Sequence, residues 1–266
     1  MMSICPICQA QANQPELEKS PYTLVRCTNC TLVFATPYEV PADLYDNAYQ
    51  DEGAYAEYVA QMSTSAGLHL TWGMRSFFKA VKQNGTLLDV GCATGKFMLL
   101  AQQRGWQVEG IEISERAAQI AKTRTNAPVT IGTLDQFSTD KQYDAITMWE
   151  VLEHLPNPVQ TVEKVLSLLK PRGYFAGSVP NWCSLWMRKS EDAAHWPPFH
   201  LTYWEPSSLH YLLSNHGFSN IIIRQKPLAW TEELGSKKYA LLPISVIKSL
   251  FFNQKGIHLF FIAQKV

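Results

Sequence analysis

A chain of 266 residues, 46% hydrophobic and 17% charged, has enough apolar material for one α/β domain and a small accessory module. Its 23 cationic side chains balance 23 anionic ones, which excludes a general attraction to nucleic acid or anionic lipid. No apolar run reaches membrane-spanning length, because Tyr239 to Phe252 is short and contains Pro243 and Lys248. Cys5 and Cys8 come before any apolar stretch of the kind a signal peptide needs, so the expectation is a cytoplasmic protein.

Four of the six cysteines open the chain as Cys5-x2-Cys8 and Cys27-x2-Cys30. Two such knuckles at this interval read as a tetrahedral four-thiolate zinc site; two disulfides are the alternative, which a reducing compartment disfavours. With all four positions filled by sulfur, the metal is structural. Zinc ribbons often bind nucleic acid, but residues 1–44 set only Lys19 and Arg26 against Glu16, Glu18, Glu39 and Asp43, a poor phosphate surface. The expected division is a ribbon over 1–44, a linker with covering helices over 45–84, and a main domain over 85–266. Pro37 and Pro41 mark the linker, and Tyr45, Tyr49, Tyr55 and Tyr58 read as packing aromatics. Residues 66–83 read as a helix with Leu70, Met74, Phe77, Phe78 and Val81 on one stripe.

From Leu87 the chain alternates strand and helix, as a parallel sheet requires. Leu87-Leu88-Asp89-Val90-Gly91-Cys92-Ala93-Thr94-Gly95-Lys96-Phe97 is a buried strand, a glycine turn and a helix start. The pattern is D-x-G-x-x-x-G, without the Lys-Ser/Thr pair of a P-loop. Strand 106–111 leads into Glu112, which lies 21 residues beyond Gly91, a distance at which an acid meets ribose hydroxyls. Ser114 suits the cap of helix 115–124, and Val129–Ile131 is a short third strand. Strand 143–148 is followed by the loop Trp149–Pro158 and a helix whose Val162, Val165, Leu166 and Leu169 share a face. After strand 174–179 comes an irregular stretch, 182–204, rich in tryptophan and histidine at the ligand-binding edge of the sheet. Helix 206–216, strand 218–225, a helical insertion within 228–254 and strand 257–264 complete the reading.

These residues resemble class I S-adenosylmethionine (SAM)-dependent methyltransferases, in particular small-molecule enzymes with an N-terminal four-cysteine ribbon. The glycine turn with its follow-on acid is similar to their motif I. Glu150-Val151-Leu152-Glu153-His154-Leu155 resembles the loop after their fourth strand, and Leu169-Lys170-Pro171-Arg172-Gly173 their turn into the fifth. The resemblance implies a seven-stranded, mostly parallel, doubly wound sheet, with the last strand inserted antiparallel between strands five and six. It implies SAM as methyl donor, held by Asp89, Gly91, Cys92, Ala93, Gly95, Glu112, Ile113, Thr133, Leu134 and Trp149. Two positions depart from the pattern: Ala93 replaces a common glycine, and Thr133 stands where an acid often meets the adenine amino group. Ala93 is compatible with binding if its φ is negative.

The acceptor is expected to be a small molecule (a sugar, a lipid-linked compound or a secondary metabolite) methylated at oxygen. His200 and His154 are the candidate acid–base residues, His200 because it lies in the 182–204 stretch, the expected substrate lid. The other readings are an rRNA or tRNA methyltransferase, which the charge balance opposes, and a non-catalytic SAM-binding scaffold.

Overall fold

The computed structural model describes residues 3–11, 13–39, 44, 68–82, 84–191, 193–225 and 256–266. The expected helical insertion and the tyrosines at 45, 49, 55 and 58 lie outside the described residues. Twelve named elements build the main domain: α1 (Leu68–Ala80), β4 (Thr86–Val90), α2 (Lys96–Gln102), β5 (Gln107–Glu112), α3 (Glu115–Thr125), β6 (Val129–Ile131), β7 (Tyr143–Trp149), α4 (Pro158–Leu168), β8 (Leu169–Pro180), α6 (Pro206–Asn215), β10 (Phe218–Gln225) and β11 (His258–Lys265). Their strands form one sheet in the order β10-β11-β8-β7-β4-β5-β6. β4 pairs in parallel with both β5 and β7, and β11 runs antiparallel between β8 and β10. The strand order reverses at β4, so the ligand crevice of such a sheet lies at the carboxyl ends of β4 and its neighbours.

Alternation along the strands builds a core on each face. Leu88, Val90, Ile146 and Met148 pack with α4 and α6, while Leu87, Val108 and Ala145 pack with α1, α2 and α3. Met74 and Phe77 on α1, and Val81 just beyond its end, are buried as the stripe requires. Local chemistry sets the helix ends. The Ser114 hydroxyl accepts from the Ala117 amide at the start of α3. Pro206 occupies the first turn of α6, where Glu205 and Ser208 form a capping box.

The N-terminal module is a hairpin, β1 (Asn13–Lys19) and β2 (Tyr22–Cys27), followed by β3 (Val33–Thr36). It does not stand alone. β3 pairs antiparallel with β9 (Thr202–Tyr203), giving a four-stranded sheet β1-β2-β3-β9 that joins the ribbon to the segment expected as a lid. A short helix, α5 (Leu185–Arg188), also lies in that segment.

Candidate active site and cysteine cluster

The carboxyl ends of β4 and β5 bring Asp89 and Glu112 onto the same face of the sheet as Leu87 and Val108. Both acids are buried, 1% and 3% exposed. Glu112 ties the corner together: its Oε2 accepts the Ala93 amide at 2.8 Å and its Oε1 the Ser114 amide at 3.0 Å. Asp89 Oδ1 accepts the Thr147 hydroxyl at 2.7 Å. Burial pushes the Asp89 carboxyl up to about 7; the Thr147 hydrogen bond opposes this, and the negative Glu112 nearby adds to it.

The turn between them is left-handed at three positions, Gly91 (φ 69°), Ala93 (φ 47°) and Gly95 (φ 73°). The condition set on Ala93 is therefore not met: this residue does adopt the conformation that favours glycine, at a cost of about 1–2 kcal/mol. Gly91 is needed for a reason the sequence does not reveal. A Cβ there would stand 2.5 Å from Val151 Cγ2, so the protein's own packing forbids a side chain. Cys92 turns its sulfur into the core beside Gly110 and Met98, leaving only its backbone at the turn. Ile113 is exposed beside buried Glu112, Leu134 is buried, and Thr133 is exposed with its amide donating to Gln136 Oε1. Trp149 lies in the core, stacked 6.0 Å from Phe260 and tilted against Phe97 at 4.9 Å.

A second group stands on the loop after β7. Glu153 and His154 lie in the turn Leu152–His154, and His200 comes from the segment before β9. The ligand atoms of these three residues all lie within 4.8 Å of one another. Burial raises the Glu153 carboxyl well above its ordinary range and the charge of Glu150 adds to this; burial holds both histidines below theirs, His200 strongly. His154 and His200 meet edge to face at 4.6 Å. Nearby, His258 Nδ1 and Glu150 Oε2 are 3.1 Å apart.

The four knuckle cysteines converge as well. Cys5 Sγ and Cys30 Sγ are 3.5 Å apart, as are Cys8 Sγ and Cys27 Sγ, and the four sulfurs lie within 4.8 Å of one another with no disulfide among them. Each knuckle turns the same way: the Gln9 amide donates to Cys5 O and the Thr31 amide to Cys27 O, with Gln9 and Thr31 both left-handed.

Comparison with known proteins decides the family. Residues 68–222 match the family described as a methyltransferase domain, more than half of the chain. The chain belongs to the methyltransferase-domain family. Curated relatives include a ubiquinone biosynthesis O-methyltransferase of Saccharophagus degradans, 35% identical over 94 residues, which are 33% of this chain and 40% of that protein. The protein of the same name from Azoarcus sp. is 34% identical over the same shares. The chain thus spans about two fifths of the length of the curated relatives it matches. Among solved structures, a SAM-dependent methyltransferase from Archaeoglobus fulgidus superposes with a TM-score of 0.58 at 20% identity, over 79% of this chain and 99% of that one. A possible histamine N-methyltransferase from Thermotoga maritima gives 0.61 at 16%, over 84% and 100%. The fold is that of the class I SAM-dependent methyltransferases.

The cysteine cluster precedes the matched methyltransferase domain, yet it packs into the same core as Trp204, Leu209 and Leu212. Polar contacts fasten it further. Arg26 bridges Glu16 and Glu205, each at 2.9 Å, and Glu16 also accepts the Trp182 indole N–H. Trp182, Trp196 and Tyr203 are buried against Leu24, Val33 and Ala35 of the ribbon, so these aromatics form an interface core. Sequence reading did not single out Glu153, Thr147 or the Glu16–Arg26 pair. For Glu153 a signal existed, an acid beside His154 between apolar Val151-Leu152 and Leu155.

Proposed function

We propose that the chain is a SAM-dependent methyltransferase that methylates a small-molecule acceptor at oxygen, with a structural zinc ion in its ribbon. The observation that carries this reading is the pair of buried carboxylates astride a left-handed glycine turn, Asp89 on β4 and Glu112 on β5. Two buried acids side by side are costly unless a ligand compensates them. An ammonium group beside Asp89 and a ribose diol beside Glu112 meet that need, and exposed Ile113 with Leu134 offers apolar surface for an adenine ring. The donor supplies an electrophilic methyl group when bound. The chain's own part in an in-line displacement is alignment and exclusion of water. Backbone at Cys92, Ala93 and Gly95 shapes the cradle, and Trp149 supports it from the core.

Oxygen as the methylated atom is supported by the names of the curated relatives, both O-methyltransferases. The cysteine donor set fits zinc: sulfurs about 2.3 Å from a tetrahedral ion stand about 3.8 Å apart, close to the spacing seen. Cys5, Cys8, Cys27 and Cys30 would hold it and would leave no open position. His154 and His200 share the carboxyl edge where an acceptor would approach.

The test is incubation of the purified chain with methyl-labelled SAM and a panel of hydroxylated small molecules, with tRNA and rRNA in parallel. Label in a small-molecule product is expected. Label confined to RNA, or a chain that binds neither SAM nor S-adenosylhomocysteine, would contradict the reading.

A further inference from the structure

Glu153 is 1% exposed, and neither of its carboxylate oxygens has a hydrogen-bond partner. His200 is 5% exposed, and its Nδ1 is likewise buried without one. An orphaned carboxylate and an orphaned imidazole nitrogen in one small space are expensive unless something charged or polar completes them. His154 supplies the third group. Its Nδ1 is 2.9 Å from the Phe199 carbonyl, which can only accept, so the proton sits on Nδ1. Its Nε2 stands 4.0 Å from Glu153 Oε1. An outer hydrogen bond that fixes the tautomer in this way is the usual support of a metal-bound histidine. The two segments are also pinned to each other, for the Leu201 amide donates to the Glu153 carbonyl at 2.9 Å.

We propose that Glu153, His154 and His200 form a second metal site, for a first-row divalent transition ion bound by one carboxylate and two imidazoles. Two nitrogen donors favour zinc, cobalt, iron or manganese over magnesium or calcium, which prefer all-oxygen shells. Three protein ligands leave coordination positions open, unlike the closed four-thiolate cluster. His154, with 31% of its side chain exposed, gives the ion a way in. The site lies close to the donor corner, because Val151 of the same loop abuts Gly91. An acceptor hydroxyl is the ligand suited to an open position, since coordination makes its proton easier to lose; this role, unlike the site itself, rests on the reading proposed above. A ligated imidazole has its lone pair committed, so His200 then serves as a ligand and not as a free base.

The test uses the full chain, reduced, stripped of metal and titrated with Co²⁺. Two equivalents are expected: one with strong sulfur-to-cobalt charge-transfer absorption, and one with only the weak ligand-field bands of a nitrogen and oxygen site. Glu153→Gln and His200→Asn should abolish the second equivalent and keep the first. A wild-type chain that takes up a single equivalent, the thiolate one, overturns the proposal, as does a second equivalent that survives both substitutions. The wild-type spectrum decides the matter even where a variant fails to fold. Calorimetry of SAM with the wild-type chain reports the donor site separately, so failure of one reading does not disguise failure of the other.

Discussion

At the scale of single residues, the donor corner is held by backbone conformation as much as by charge. Ala93 sits at φ 47°, where glycine is at ease and alanine is strained. Ala93→Gly should therefore stabilise the chain by about 0.5–1 kcal/mol after the added unfolded-state entropy, raising Tm by about 1–2 °C. Differential scanning calorimetry checks it. Asp89 has its carboxyl pushed up to about 7 by burial, whereas an unfolded aspartate titrates near 4. Such a group favours the folded chain below its unfolded pKa, and that contribution is lost as pH rises through about 7. A cationic ligand beside it lowers the pKa again, so binding should expel a proton on the acid side. SAM affinity should then rise from about pH 6 to about pH 8 and flatten above, as calorimetry in buffers of different ionisation heat would show. Asp89, Glu112 and the glycines were legible as a motif because their spacing follows from the strand–turn–helix geometry. The Val151 contact of Gly91 was not, since it is made by a residue sixty positions away.

At the scale of elements, the main sheet was legible because each strand alternates or runs apolar and each helix carries a stripe. The inserted last strand came with the resemblance and matches the observed β10-β11-β8 order. Gly177 shows how tightly neighbouring strands are matched. A Cβ there would fall 1.9 Å from the Met148 carbonyl oxygen of β7, which backbone cannot yield. Gly177→Ala should cost about 3 kcal/mol or more, read as a drop in urea midpoint without a change of slope. Residues 182–204 were not legible as structure. Their described elements are a four-residue helix, a three-residue 3-10 turn and a two-residue strand, too short for periodicity, and their order comes from the ribbon packed against them.

At the scale of the molecule, the ribbon and the methyltransferase domain share a sheet and a hydrophobic core, so they should lose structure together. Glu16 joins them through Arg26, Arg188 and Trp182, with its side chain 14% exposed. Discounted for partial exposure, Glu16→Ala should cost about 1–2 kcal/mol. Chelation of the zinc proposed for the ribbon should lower the single unfolding transition of the whole chain, whereas two separated transitions would show that the module stands apart. The central claim, that this molecule binds SAM between β4 and β5, is tested most directly by calorimetry of SAM with wild type and Glu112→Ala. On the proposed reading the substitution removes a charged acceptor for the ribose hydroxyls, and it frees the Ala93 and Ser114 amides, a loss of about 1.5–3 kcal/mol, so affinity should fall about tenfold or more in a chain that remains folded. An affinity equal to that of the wild type would contradict the account.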